Sequence, residues 1–228
     1  MSGEGTSGAG SQRELPVMSG HVEVPSWRLL LTLGIAGALA GLLIVFVYQA
    51  TQPRIQAYKA LQLRLAVSEV LASPSCWDTL YVHDGALLLT PPTDVDAGSL
   101  EMVFLGYRED GSRAGYAIQG AEAGFQDIIE LIFGYNAETN TVLGMKVLAN
   151  KETPGLGDKI VKDSAFVAEF GGAETPLAGV KSARATGAAN EVDMITGATI
   201  SSRAVINIIN HQLERLGPML NAYLQEAS

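Results

Sequence analysis

Cysteine is almost missing from this 228-residue chain: Cys76 stands alone. An intramolecular disulfide is excluded, and so is a cysteine-rich zinc or iron–sulfur site. The three histidines, His21, His83 and His211, lie far apart and show no metal-ligand spacing, so no metal site is expected. Positive charge is also scarce. Fifteen Lys and Arg face twenty-four Asp and Glu, for a formal net charge of −9. No basic cluster offsets this acidity, so binding to nucleic acid through counterion release is not expected. Two phosphate-binding signatures are missing as well. There is no Gly-Lys-Ser/Thr loop; Gly179-Val180-Lys181-Ser182 misses it by the interposed valine. No GxGxxG occurs, so a Rossmann dinucleotide site has no support.

What the chain does have is hydropathy. Its mean hydropathy is +0.20, high for so acidic a protein. The excess is concentrated between Leu29 and Tyr48, twenty residues without a charge. As a helix rising 1.5 Å per residue, that stretch spans about the 30 Å of a bilayer core. It is longer than the apolar run of a typical secretory signal, and no small-x-small site ends it, so a retained anchor is expected. Gly37 and Gly41 form a GxxxG within it, a pattern that lets another helix approach closely and is also simply common in membrane helices. Arg13 and Arg28 precede the span, whereas Arg54, Lys59 and Arg64 follow it, so the positive-inside count does not favour a cytoplasmic N-terminus.

Four segments follow from composition and periodicity. Residues 1–27 read as a disordered Gly- and Ser-rich tail, 28–49 as the transmembrane helix, and 50–75 as a helical connector. Pro53 is expected to kink or bound that connector, which ends near Ser73-Pro74. Residues 76–228 form the globular domain. There, 101–107, 113–119, 127–135 and 141–149 are strand-like and pair as two hairpins around turn-forming sequences. A helix is expected over 158–170 and another over 202–216, interrupted at Gly217-Pro218. Strands grouped ahead of helices predict an α+β fold with an antiparallel sheet and flanking helices.

Two stretches carry chemistry. Asp193 to Ser202 contains Thr196-Gly197-Ala198-Thr199, hydroxyl-rich and directly before an apolar helix. Unpaired amides and the helix dipole make such a place suitable for phosphate; taken alone, the stretch reads first as a plain helix cap. Glu152-Thr153-Pro154-Gly155-Leu156-Gly157 is a loop whose glycines let backbone amides approach a ligand, or an ordinary strand-to-helix turn.

Together, in this order and behind one N-terminal anchor, the two stretches resemble the covalent-FMN domain family. That family includes the G subunit of the Rnf electron-transport complex and the C subunit of the sodium-pumping NADH:quinone reductase. Gly115-Tyr116-Ala117 and Gly124-Phe125-Gln126 agree with it, and Asp158-Lys159-Ile160 looks more like the Rnf member. The resemblance implies FMN, joined through its phosphate to the hydroxyl of Thr199 by a flavin transferase. It places Thr196, Gly197 and Ala198 in the attachment motif and makes Asp193 the acidic position that the transferase reads. Glu152, Thr153 and Leu156 match the loop that lies along the isoalloxazine. Lys181 stands as a candidate for the flavin or its phosphate, beside its reading as a solvated surface lysine. The resemblance further implies an electron relay without catalytic residues of its own, non-autonomous and working within a redox-driven ion translocase. Its partners would be the other integral and peripheral subunits of an Rnf-type complex. The globular domain would lie on the periplasmic side of the inner membrane. Three rivals remain: the corresponding quinone-reductase member, a flavin-bearing regulatory domain of a respiratory protein, and a cofactor-free membrane-tethered assembly or binding module.

Overall fold

The structure is a computed structural model that describes residues 25–226. Most of the expected N-terminal tail lies outside the described residues, but Ser26 and Trp27 are already helical. Helix α1 runs from Ser26 to Val70 with Pro53 inside it. Proline removes one intrahelical bond, and the residues on either side continue the helix across the gap. Among the described residues, α1 is the one helix long and apolar enough to cross a membrane. The chain divides at Arg54/Ile55 into an apolar helical unit and a folded unit.

The folded unit is built on a six-stranded antiparallel sheet in the order β2-β1-β3-β4-β5-β6. The strands are β1 (Cys76–His83), β2 (Ala86–Leu88), β3 (Glu101–Tyr107), β4 (Arg113–Ala123), β5 (Ile128–Asn136) and β6 (Thr141–Ala149). The four strands expected from sequence are present. β1 and β2 are additions, joined at Asp84-Gly85, where both residues have positive φ as a two-residue hairpin requires.

Strand alternation gives the sheet two buried faces. Val103, Leu105, Tyr116, Ile118, Leu131 and Phe133 point to one face, into the main core. Phe104, Ala117 and Ile132 point to the other, where Ala66, Val67 and Val70 of α1 cover them. The main core is closed by α2 (Lys159–Lys162), α3 (Ser164–Ala168) and α4 (Thr199–Glu226). A separate parallel pair, β7 (Ala178–Val180) and β8 (Glu191–Asp193), precedes α4.

Two helices depart from expectation. The segment 158–170 is broken at Asp163, whose backbone turns extended while its carboxylate accepts from the amides of Ala165 and Phe166. That cap starts a second helix instead of extending the first. In the opposite sense, α4 begins at Thr199 rather than Ser202 and passes through Gly217-Pro218. Leu216 and Leu220, both fully buried, flank the proline. Burying each is worth about 1.5–3 kcal/mol, enough together to outweigh the roughly 3 kcal/mol cost of an internal proline.

Ile208 of α4 is fully buried in this core, whereas Asn221 is exposed. Ile208→Ala is expected to lower stability by about 2–5 kcal/mol, and Asn221→Ala by no more than about 0.5 kcal/mol. Urea unfolding of the full chain in detergent, followed by near-ultraviolet circular dichroism, checks the difference.

Candidate functional site

Three connections converge at the N-terminus of α4. The first is the β4–β5 loop, closed by a hydrogen bond from Gly124 N to Asp127 O at 2.8 Å. The second follows β6. There Leu156 N donates to Thr153 O at 3.1 Å, and Gly155 sits at φ +78° in the turn that Pro154 opens. Asp158 supports that turn by accepting from Gly155 N at 2.7 Å while its other oxygen pairs with Lys162. The third is the turn Ile195–Ala198, closed by Ala198 N donating to Ile195 O at 3.0 Å. Gly197 occupies its left-handed position at φ +87°, where a side chain would be strained.

Glu152 joins the first two to the first turn of α4. It is 4% exposed, and among the described residues it is the only buried charged side chain. Oε1 accepts from the amides of Phe125 and Gln126, at 2.9 and 3.1 Å. Oε2 accepts from Ser201 Oγ at 2.6 Å. Burial pushes this carboxyl's pKa up, but the Ser201 hydroxyl and the amides of Gln126, Asp127 and Phe125 outweigh burial and hold it below the ordinary glutamate range. Gly157 packs against the same carboxylate: a Cβ there would lie 2.5 Å from Glu152 Oε2 and 2.9 Å from Ser201 Oγ. Ser202 ties the third turn from the other side. Its Oγ accepts from Ile195 N at 3.2 Å and donates to Ala198 O at 3.0 Å.

Between these segments lies a half-open cavity of about 310 Å³, lined by Phe125, Thr153, Leu156, Gly157 and residues 197–201. That volume is within the range of small-molecule and cofactor clefts, roughly 300–1,000 Å³. Its rim is apolar and solvent-facing: Phe125 is 65% exposed, Leu156 50% and Ile200 53%. A larger cleft of about 530 Å³, bordered by Tyr135, Asn210 and Pro218, lies elsewhere and includes none of these residues.

The first turn of α4 is electrostatically incomplete. Ala198 occupies the cap position, its carbonyl accepting from Ser202 N at 2.9 Å, and its methyl side chain cannot cap amides. Among the described residues, no group accepts from the amides of Thr199, Ile200 or Ser201. The first turn holds no acidic residue. Among the described residues the Thr199 hydroxyl has no hydrogen-bond partner, and it lines the cavity. The plain-cap reading of this motif therefore fails on geometry. Three open amides, the positive helix end and a free hydroxyl form a site for an anionic group such as phosphate.

Of the residues singled out from sequence, Thr199, Ala198, Gly197, Thr153 and Leu156 line this cavity. Thr196 is exposed in the adjoining turn, and Glu152 is buried outside the lining. Asp193 and Lys181 lie at the β7–β8 pair. One Asp193 carboxylate oxygen meets Ser182 Oγ, and its backbone amide meets the Glu169 carboxylate. The other Asp193 oxygen is buried and, among the described residues, has no hydrogen-bond partner. Lys181 is exposed and outside the cavity lining. Sequence reasoning passes over Phe125, Gly157, Ile200 and Ser201 as site residues. All four stand inside stretches that carry the family resemblance, which is the signal that marks them.

Residues 124–214 match the FMN-binding domain family, a span that begins at the β4–β5 loop and contains every residue lining the cavity. The chain is 31% identical over 179 residues to the G subunit of the ion-translocating oxidoreductase complex of Vibrio cholerae, covering 75% of this chain and 81% of that protein. It belongs to this G-subunit family. The counterpart from Methanosarcina acetivorans is 26% identical over 187 residues, 82% of this chain and 92% of that protein. Among solved structures, NqrC of Shewanella oneidensis superposes with a TM-score of 0.63 at 19% identity, covering 75% of this chain and 100% of that one. This member of the G-subunit family thus has an NqrC-like fold: an antiparallel sheet with flanking helices behind one long apolar helix, as the order of strand and helix signals predicts.

Two stability predictions follow from Glu152. Gly157→Ala forces a methyl against its carboxylate and is expected to cost about 1–3 kcal/mol in urea unfolding. Because the folded-state pKa of Glu152 is lowered, its ionised form stabilises the fold above the ordinary glutamate value, about 4.3, and that contribution disappears as pH falls through the lowered value. Urea midpoints measured across this acid range are expected to fall more steeply in the wild type than in Glu152→Gln.

Proposed function

We propose that this chain is the flavin-bearing electron-transfer component of an Rnf-type ion-translocating oxidoreductase complex, with FMN held as a phosphoester on Thr199. The observation that carries the proposal is the Thr199 hydroxyl: free of protein partners among the described residues, at the uncapped start of a 28-residue helix, on the rim of an apolar cavity. A phosphodiester at that position meets three open amides and the positive end of α4. Phe125, Leu156 and Ile200 offer apolar surface for a flat ring, and Thr153 adds a polar edge. When bound, FMN supplies the redox chemistry, while the protein supplies position and electrostatics.

Attachment is a group transfer from FAD by a flavin transferase. The pyrophosphate P–O bond of FAD breaks, a bond forms between the FMN phosphorus and Thr199 Oγ1, the hydroxyl proton is lost, and AMP departs. Asp193, next to this motif on β8, is the acidic position that the transferase reads. The apolar segment of α1 anchors the domain beside integral partner proteins, with residues 50–228 on the periplasmic side of the inner membrane.

Two experiments test this reading. The chain is co-expressed with a flavin transferase, run on a denaturing gel and viewed under ultraviolet light. A fluorescent band is expected for the wild type and for Thr196→Ala, and none for Thr199→Ala. A wild-type chain without covalent flavin overturns the carrier reading. Protease added to spheroplasts is expected to digest the globular domain; a protected domain contradicts the periplasmic placement.

A further inference from the structure

Glu152 belongs to a stretch whose family resemblance suggests contact with a flavin ring, and its surroundings give it a different task. Both of its oxygens are engaged, Oε1 by the amides of Phe125 and Gln126 and Oε2 by Ser201 Oγ. Both are also walled in by backbone. A Cβ on Gly124 would fall 2.4 Å from Oε1, and one on Gly157 would fall 2.5 Å from Oε2. No ligand in the cavity reaches a carboxylate enclosed in this way. What the carboxylate touches instead are two opposite parts of the cavity wall: the loop that carries Phe125, and the helical turn that carries Thr199.

We infer that Glu152 is a positioning residue for flavin attachment, acting through Ser201 to set the first turn of α4 and through the Phe125 and Gln126 amides to set the opposite wall. Ser201 is two residues from Thr199, so fixing its hydroxyl fixes the phase of the turn that aims Thr199 Oγ1 at the cavity. An acceptor-only group suits the place, because every one of its hydrogen-bond partners donates. Its negative charge also lies near the positive end of α4, on the buried side. Thr153 extends the same clamp, its hydroxyl donating to Gln126 Oε1 at 3.1 Å. This inference rests on the proposal that Thr199 accepts FMN.

The test uses the full chain in detergent, a purified flavin transferase and FAD. Initial rates of covalent flavin incorporation are measured against acceptor-chain concentration, and near-ultraviolet circular dichroism confirms that each variant is folded. Glu152→Ala is expected to lower kcat at least about tenfold, the scale of losing a hydrogen bond to a charged group, with KM for the acceptor chain unchanged. Glu152→Gln is expected to recover most of that loss, since its carbonyl still accepts from the two amides and its NH2 can donate to Ser201 Oγ. Should Glu152→Ala fail to fold, Ser201→Ala removes one arm of the clamp and is expected to lower kcat by itself. Wild-type kcat in both Glu152→Ala and Ser201→Ala, or a Gln variant no better than Ala, overturns the inference. A wild-type chain that takes up no flavin overturns the attachment reading instead, so the two failures are distinct.

Discussion

The site depends on a buried carboxylate that, among the described residues, pairs with no cation. Removing Glu152 from water carries a large desolvation cost, and the fold offsets it with two backbone amides and one hydroxyl. Two of those donors come from a β-hairpin loop, and the third stands on a helix, 49 positions after Glu152 in the chain. The carboxylate is satisfied only when all of these segments are in place. This makes the interaction cooperative: each hydrogen bond presupposes the geometry that the others impose. Gly124 and Gly157 belong to the same constraint, because any larger residue would occupy the space of the carboxylate oxygens. A loop rich in glycine is thereby made rigid by what its glycines admit.

The sheet explains why the segments meet. β4, β5 and β6 are consecutive antiparallel neighbours, so the β4–β5 loop and the end of β6 emerge at one edge of the sheet. α4 lies across the same sheet, with Ile208 and Ile209 in the main core. Its burial fixes where its N-terminus points. Gln212 adds a directional tie by donating to Gln119 O on β4 at 2.9 Å, and Arg215 pairs with both carboxylate oxygens of Glu101 on β3. The helix is anchored along its length by packing and polar contacts. Its first turn is the part left for Glu152 and Ser202 to organise.

The parts legible in the sequence are those governed by local pattern. Alternating apolar residues mark β3 to β6, and the uncharged run marks the membrane-length helix. Two short stretches, 152–157 and 193–201, mark the cavity. The parts that escape are settled by distant contacts. Gly217-Pro218 reads as a helix end, and the burial of Leu216 and Leu220 overrides it. The three-residue strands β7 and β8 are too short to show periodicity and pair only with one another. Asp163 looks like any helical residue until its carboxylate caps the next helix. Asp84-Gly85 is different, for it is a strong hairpin signal on its own and β1–β2 is readable from it. Glu152 is the most instructive of these residues. Sequence marks it as part of the site, but only the folded structure shows that it faces the protein and not the cavity.

The net charge of −9 raises an electrostatic question: how an acidic chain would hold the phosphate proposed at the start of α4. The answer lies in range. At physiological salt the Debye length is about 8 Å, so exposed carboxylates farther away are largely screened from the start of α4. Local dipoles decide instead. Three open amides, a cap position filled by Ala198 and a first turn without an acid leave a concentrated positive end. A Ser, Asp or Asn at the cap would satisfy an amide and weaken that field, and a carboxylate in the first turn would compete with the incoming phosphate. The Glu152 carboxylate, close to this turn, is held on the buried side by Ser201, outside the cavity lining. A helix start left uncapped costs stability in a protein that uses it only as structure. On the proposed attachment, the missing cap would keep the amides available to a phosphate.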